Sequence, residues 1–459
     1  MLEIKNLSIS ILDRKLIENL SFTLDKGDKL AIIGEEGNGK STLLKALIGE
    51  CEHAEIQGQI DFKSHSIGYL EQTISKENSE KKVFDYLFEN ENEYYTKIAE
   101  LYSHAKEMDI GIELLERRLD ELSGGEKVKI GILKILLGDS DILLLDEPTN
   151  DLDLDTLKWL EKFINETTRP IIFVSHDEVL LSNTANVILH IEQIDDKTQC
   201  RHTLERTDYR TYVAKRVAML AKQTQLAKSE KREFEKKEEK LRQIMQKVEY
   251  RQNTISRQDP FGAKLLKKKM HTLKAQEKRL ADKELTEVPA VEENINFFFD
   301  DVYIPKSKIV ARIDLSRLEI AGHTLAKNIS FDIVGDTHLC ITGKNGTGKT
   351  TLLKKIYEEL KDRTDINVGY MPQDYESILN EFDTALDFIK KGRSKEEVTI
   401  ARTRLGSMNF TAEETIGKIS NLSNGSKAKL FLAKLALDHC NVLILDEPTR
   451  NLSPLSAPV

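Results

Sequence analysis

At 459 residues, 39% apolar and 32% charged, the chain is too long for one ordinary domain and apolar enough for large cores. No apolar run reaches the roughly 18–20 residues that span a bilayer, and the start, MLEIKNLSIS, lacks the basic and apolar regions of a secretory signal. The four cysteines are widely spaced and fit neither a zinc site nor a disulfide framework, so the expectation is a cytoplasmic protein with reduced thiols.

The first motif is GEEGNGKS at 34–41, between the apolar run KLAIIG and the helical stretch TLLKALIG. Strand, glycine-rich loop and helix in that order make a phosphate loop. Its glycines (Gly34, Gly37, Gly39) let backbone N–H groups close around phosphate oxygens, and the next helix offers its positive N-terminus. Lys40 is expected to reach the β- and γ-phosphates and Ser41 to ligate Mg²⁺, with Thr42 completing the nucleotide-binding loop. Further along, ILLLDEP at 142–148 is an apolar strand ending in two carboxylates. Asp146 would hold Mg²⁺ through water and Glu147 would polarise the attacking water, because phosphoryl transfer needs positioning and charge neutralisation more than covalent help.

The net charge of −9 is unevenly spread. Residues 215–284 hold 21 Lys/Arg against 10 Asp/Glu, a local +11, which leaves −20 for the rest. Such a segment points to polyanion contact. Leu220, Ala227, Phe234, Leu241 and Val248 recur every seven residues, QNTISRQDPFGA at 252–263 breaks the pattern, and Leu266, Leu273 and Leu280 resume it. Two heptad-patterned helices around a breaker predict an antiparallel helical hairpin.

The chain then repeats itself. ENLSF at 18–22 returns as KNISF at 327–331, and GEEGNGKSTLLK at 34–45 as GKNGTGKTTLLK at 343–354, both at an offset of 309. LSGGEKVKI at 122–130 returns as LSNGSKAKL at 422–430, and ILLLDEPTN at 142–150 as VLILDEPTR at 442–450, both at an offset of 300. Four blocks in one order predict two copies of an α/β domain, over 1–205 and 309–459, joined by a linker over 206–295. The second copy supplies Gly343, Gly346, Gly348, Lys349, Thr350 and Thr351 for nucleotide and Asp446 and Glu447 for metal and water.

LSGGE together with LDEPTNDLD, after a phosphate loop, resembles the ATP-binding-cassette ATPases. Two cassettes with a charged helical linker and no membrane segment resemble the ABC-F branch. The resemblance implies two P-loop cassettes closing head-to-tail around two ATP molecules with Mg²⁺. It makes Gln72 and Gln373 the Q-loop residues beside the metal and His176, in IIFVSHD, the switch histidine on the γ-phosphate. Adenine would pack near Ile11 and Ile320. The second phosphate loop would face the signature Ser123, Gly124, Gly125 and Glu126. The first would face Ser423, Asn424, Gly425 and Ser426, where Asn replaces a Gly, so the first site is expected to bind ATP but close less tightly.

The resemblance further implies a cytosolic ATPase acting on the ribosome. The linker would contact rRNA and tRNA through a tip containing Arg251, Gln252, Asn253, Arg257 and Gln258, either tuning translation or protecting against antibiotics. An alternative is the ATPase subunit of a membrane transporter, and a third is a DNA-repair or chromosome-structure ATPase; the basic hairpin argues against the former, and the lack of long coiled coils or CxxC pairs against the latter. After Glu447 the second copy offers RNLSPLSAPV where the first has NDLDLDTLKW, so Ser453 stands at the place of Asp153 and no second switch histidine follows. The expectation is a C-terminally truncated second cassette with a gap in its sheet, low stability and impaired hydrolysis.

Overall fold

A computed structural model describes residues 2–11, 14–35, 37–51, 54–88, 90–194, 199–254, 260–281, 304–320, 322–390, 392, 394–408 and 410–448. The chain divides into two compact units, one of 1–209 with 292–459 and one of 210–291.

In the first cassette, β1 (Leu2–Ile11) pairs antiparallel with β2 (Arg14–Leu24) and with β4 (Ala54–Asp61). The main sheet contains β3 (Lys29–Ile33), β5 (Ile67–Leu70), β6 (Ile142–Asp146), β7 (Ile171–Val174), β8 (Val187–Ile194) and β9 (Gln199–Glu205). Among the described residues its order is β5-β6-β7-β3-β8-β9, parallel except for β9. β3, β6 and β7 read KLAII, ILLLD and IIFV and are buried at every position. Unbroken apolar runs suit strands covered on both faces, and the alternation of a half-solvated strand is absent from them for that reason. Leu30, Ile32, Leu144 and Ile172 join Leu43 and Leu44 of the helix Lys40–Ile48 in one core.

This order positions the chemistry. β7 lies between β3 and β6, with Ile32 and Asp146 both in register with Val174. The phosphate loop, the carboxylate pair and His176 therefore leave the sheet at the C-terminal ends of three adjacent parallel strands, where ligands of open α/β sheets bind.

The second copy keeps β10 (Ile309–Ile320) and β11 (His323–Val334) as an antiparallel pair, and β12 (Val368–Met371) beside β13 (Val442–Leu445) as a parallel one. Its helical part has its own core around Phe388, Leu405 and Phe431. Residues 338–341, the counterpart of β3, form no strand, and Leu339 is 51% exposed where Leu30 is 0%. In the first cassette β3 draws its ladder from β7 and β8. Among the described residues of the second copy none supplies either ladder to this run. Ser453 and the rest of 449–459 lie outside the described residues.

The other unit holds the helices Tyr209–Thr254 and Pro260–Ala281. Proline opens the second at a position where its missing N–H costs nothing. Ala227, Val248 and Leu273, all on the seven-residue pattern, are buried, whereas Val217, Leu226 and Leu265, off it, are exposed. Arg251, Gln252 and Asn253 occupy the last turn of the first helix; Arg257 and Gln258 fall outside the described residues. Among the described residues no helix is long and apolar enough to cross a membrane.

Candidate functional site

The first phosphate loop owes its shape to glycine. Gly34, Gly37 and Gly39 have φ of 145°, 79° and 91°, in the region that excludes ordinary side chains. A Cβ on Gly34 would lie 2.1 Å from the Ile191 carbonyl oxygen of β8. Lys40 is buried, and its Nζ donates to the Gly34 and Glu35 carbonyls, both at 2.9 Å. Arg14, unmarked in the sequence reading, adds a 3.1 Å bond from Nη2 to the Gly37 carbonyl. Ile11 is partly buried against the core and Ile320 is 49% exposed, so the two places expected for adenine differ.

Ser41 Oγ donates to Asp146 Oδ1 at 3.0 Å, and Tyr69 OH donates to Oδ2 at 3.3 Å. Burial raises the Asp146 carboxyl, and nearby Glu147 adds to this, against the Ser41 and Tyr69 bonds. Glu147 is the best-held group of the site. Gln72 Nε2 and Asn150 Nδ2 donate to its Oε2 at 3.0 and 2.7 Å, and His176 Nε2 stands 3.2 Å from its Oε1. The His176 approach is a close electrostatic contact, and its ring nitrogens are buried without hydrogen-bond partners among the described residues. Burial alone would raise the Glu147 carboxyl; the opposing pull of His176, Asn150 and Lys40 is larger and holds it at about 2. Its φ of 48° is a strained backbone for a non-glycine residue at the end of a strand.

Of the expected first-site residues, Lys40, Ser41, Gln72, Asp146, Glu147 and His176 thus converge, with Thr42 in the first turn of the following helix. Tyr69 and Asn150 were not singled out, although each lies three residues from a residue that was. Asp153 caps the helix Leu154–Glu166 through Thr156 N at 2.9 Å, and Asp151 makes the carbonyl contact to the opposing loop.

That opposing loop belongs to the second cassette. Asn345 Nδ2 donates to the Asp151 carbonyl at 2.5 Å, and Lys344 Nζ lies 3.5 Å from Asp155 Oδ2. Reciprocally, Lys429 Nζ, on the helix opened by the second signature, donates to Glu35 Oε1 of the first loop at 3.2 Å. The two copies therefore meet head-to-tail through their phosphate loops.

Ser123 opens the helix Gly124–Leu137 with a capping box, Glu126 Oε2 accepting from Ser123 N at 2.8 Å. In the second signature Ser426 replaces Glu126, and Ser423 Oγ bonds Ser426 Oγ at 3.0 Å instead. The structure also refines the Gly-to-Asn argument. A Cβ on Gly124 would lie 2.5 Å from the Asp151 carbonyl and one on Gly125 2.7 Å from Thr156 Oγ1, so these glycines are required by their own cassette. Gly425 is buried in the corresponding helix turn.

The second loop copies the first in Gly343, Gly346 and Gly348, with φ of 155°, 77° and 92°. Lys349 Nζ donates to Gly343 O at 2.8 Å and Lys344 O at 3.0 Å, and Thr350 and Thr351 follow in the first turn of the next helix. Gln373 Nε2 donates to Glu447 Oε2 at 3.2 Å. Here the likeness stops. Asp446 Oδ2 and the Tyr370 hydroxyl, counterparts of a bonded pair in the first site, are buried without partners among the described residues.

The oxygen donors of the first site suit Mg²⁺, which takes one or two carboxylates and completes its shell with phosphate and water.

The ABC transporter family profile matches residues 17–150 and 326–450. The chain is 29% identical over 505 residues to the putative ATP-binding protein YdiF of Bacillus subtilis, covering 98% of this chain and 74% of that one. It is 29% identical to the uncharacterized ABC transporter ATP-binding protein YfmM of the same organism, covering 98% and 90%. It is also 29% identical to the ATP-binding protein Uup of Buchnera aphidicola, covering 98% and 74%.

Proposed function

This chain belongs to the ABC transporter family, and from that premise we propose that it is an ABC-F-type ATPase. It hydrolyses ATP mainly at its first cassette and acts on the ribosome through its basic helical segment. The observation that carries the ATPase reading is the grip on Glu147: Gln72, Asn150 and His176 hold a buried carboxylate beside Asp146 and Ser41, and His176, Asn150 and Lys40 keep it ionised.

In this reading the first loop's N–H groups and Lys40 bind the triphosphate. Ser41 and Asp146 would hold Mg²⁺, with Gln72 beside them; the ion, when bound, neutralises and orients phosphate oxygens. Glu147 accepts a hydrogen bond from the attacking water and orients it in line. His176, beside Glu147, would orient that carboxylate and contact the γ-phosphate. Thr350, Gln373, Asp446 and Glu447 would repeat these roles, but the orphaned Asp446 oxygen and the unformed strand at 338–341 favour the first site for turnover.

The ribosome reading rests on the local +11 of residues 215–284, because Lys/Arg contacts to phosphates supply salt-dependent affinity for RNA. The experiment is co-sedimentation of the Glu147→Gln chain with ribosomes in ATP. Association at low salt that is lost at high salt supports it. No association at low salt refutes it and leaves the transporter-subunit reading.

A further inference from the structure

The two phosphate loops differ in charge. GEEGNGKS sets Lys40 against Glu35 and Glu36, a formal −1, whereas GKNGTGKT carries Lys344 and Lys349, a formal +2. Both must accept a polyanion, so the first starts at a disadvantage of three charges. At the repeat offset of 309, Glu35 corresponds to Lys344, and both reach across to the other cassette. Lys429 Nζ meets Glu35 Oε1 at 3.2 Å with side-chain exposures of 13% and 26%. Lys344 meets Asp155 at 3.5 Å with 73% and 69%. Water and salt screen the second pair far more than the first.

Lys429 is held in place by its helix. Lys427 Nζ of that helix donates to Glu376 Oε1 at 2.9 Å, Tyr375 OH donates to the Asn424 carbonyl at 3.3 Å, and the Tyr375 and Phe431 rings lie 5.9 Å apart. Tyr375 and Glu376 directly follow the Gln373 segment of the second site. Counted from Gln72, the matching residues of the first cassette are Ile74, which has no polar side chain, and Ser75, which carries no charge and is occupied as a helix cap. Lys129, the counterpart of Lys429, lies over the Trp159 ring of its own cassette at 5.4 Å. The arrangement is therefore peculiar to one face: an anchored lysine of the second cassette on an acidic phosphate loop of the first.

We propose that Lys429 is a positioning residue for the first nucleotide site. By neutralising Glu35 it lets that loop accept a triphosphate, so nucleotide affinity at the first site depends on docking of the second cassette. The proposal rests on the ATP reading of the first cassette. A cationic partner matters here because the Glu35 carboxylate sits on the loop itself, where carboxylate and phosphate oppose one another at short range.

The test is titration of a fluorescent ATP analogue onto the full chain carrying Lys349→Ala, which confines binding to the first loop, at low and high salt. Lys429→Glu weakens binding about tenfold at low salt and less at high salt. Glu35→Gln binds at least as tightly as its parent, and adding Lys429→Glu to it costs less than about twofold. The swap Glu35→Lys with Lys429→Glu restores binding; it is sterically reasonable because the second loop already carries lysine at that place. Equal weakening by Lys429→Glu with or without Glu35, or failure of the swap to recover binding, overturns the proposal. Binding to the Lys349→Ala chain that is insensitive to Lys40→Ala overturns the ATP reading of the first loop, and this inference with it.

Discussion

His176 Nε2 stands 3.2 Å from Glu147 Oε1, and this contact joins the ends of two neighbouring strands into one site. Glu147 follows β6 and His176 follows β7 by two residues. The parallel register of those strands, Asp146 beside Val174, brings them together. Removing the imidazole leaves Glu147 its amide partners but takes away the group that the proposed function sets on the γ-phosphate. His176→Ala should lower ATP turnover about 100-fold while changing nucleotide affinity little. Phosphate release and analogue binding on the same preparation check this.

The ionisation of Glu147 predicts a pH dependence of stability. Its carboxyl is held at about 2 against an ordinary 4.5, burial working upward and His176, Asn150 and Lys40 working downward. The folded chain thus binds this proton more weakly than the unfolded chain. The contribution is complete above about pH 4.5 and is lost as pH falls toward 2. The stability difference between parent and Glu147→Gln should be flat above pH 5 and shift by on the order of 3 kcal/mol between pH 4.5 and 2. Denaturant unfolding across that range measures it.

Gly34 faces the Ile191 carbonyl with φ of 145° and no room for a Cβ. Gly34→Ala should destabilise the first cassette by about 3 kcal/mol or more and abolish nucleotide binding there. Thermal melting and analogue binding are the readouts. A neutral effect would mean that the loop departs from β8.

Residues 30–32 and 339–341 occupy equivalent places in the repeat but differ in structure. The first are paired on both sides by β7 and β8, and the second form no strand. Native-state hydrogen exchange should find the amides of 30–32 among the slowest of the chain and those of 339–341 several orders of magnitude faster.

Much of this was legible because the chemistry is local in sequence. Glycines at the left-handed positions, a lysine at the loop's end and two carboxylates at the end of an apolar run report their own backbone. The seven-residue pattern likewise picked out Ala227, Val248 and Leu273, which are buried. What the sequence hid is what two distant elements share. Nothing in LSGGE says that Gly124 must clear the Asp151 carbonyl, and nothing in GEEGNGKS says that Glu35 meets Lys429, 394 positions away. The loss of a strand at 338–341 was equally invisible in that run, whose residues are strand-like; pairing partners, not propensity, decide it.

The central claim is that turnover belongs to the first cassette. The measurement is steady-state Mg-ATP hydrolysis by the 459-residue chain bearing Glu147→Gln or Glu447→Gln, with binding of ATP verified in each. Glu147→Gln should lower the rate at least about 100-fold and Glu447→Gln less than about threefold. Equal losses, or a larger loss from Glu447→Gln, would contradict it.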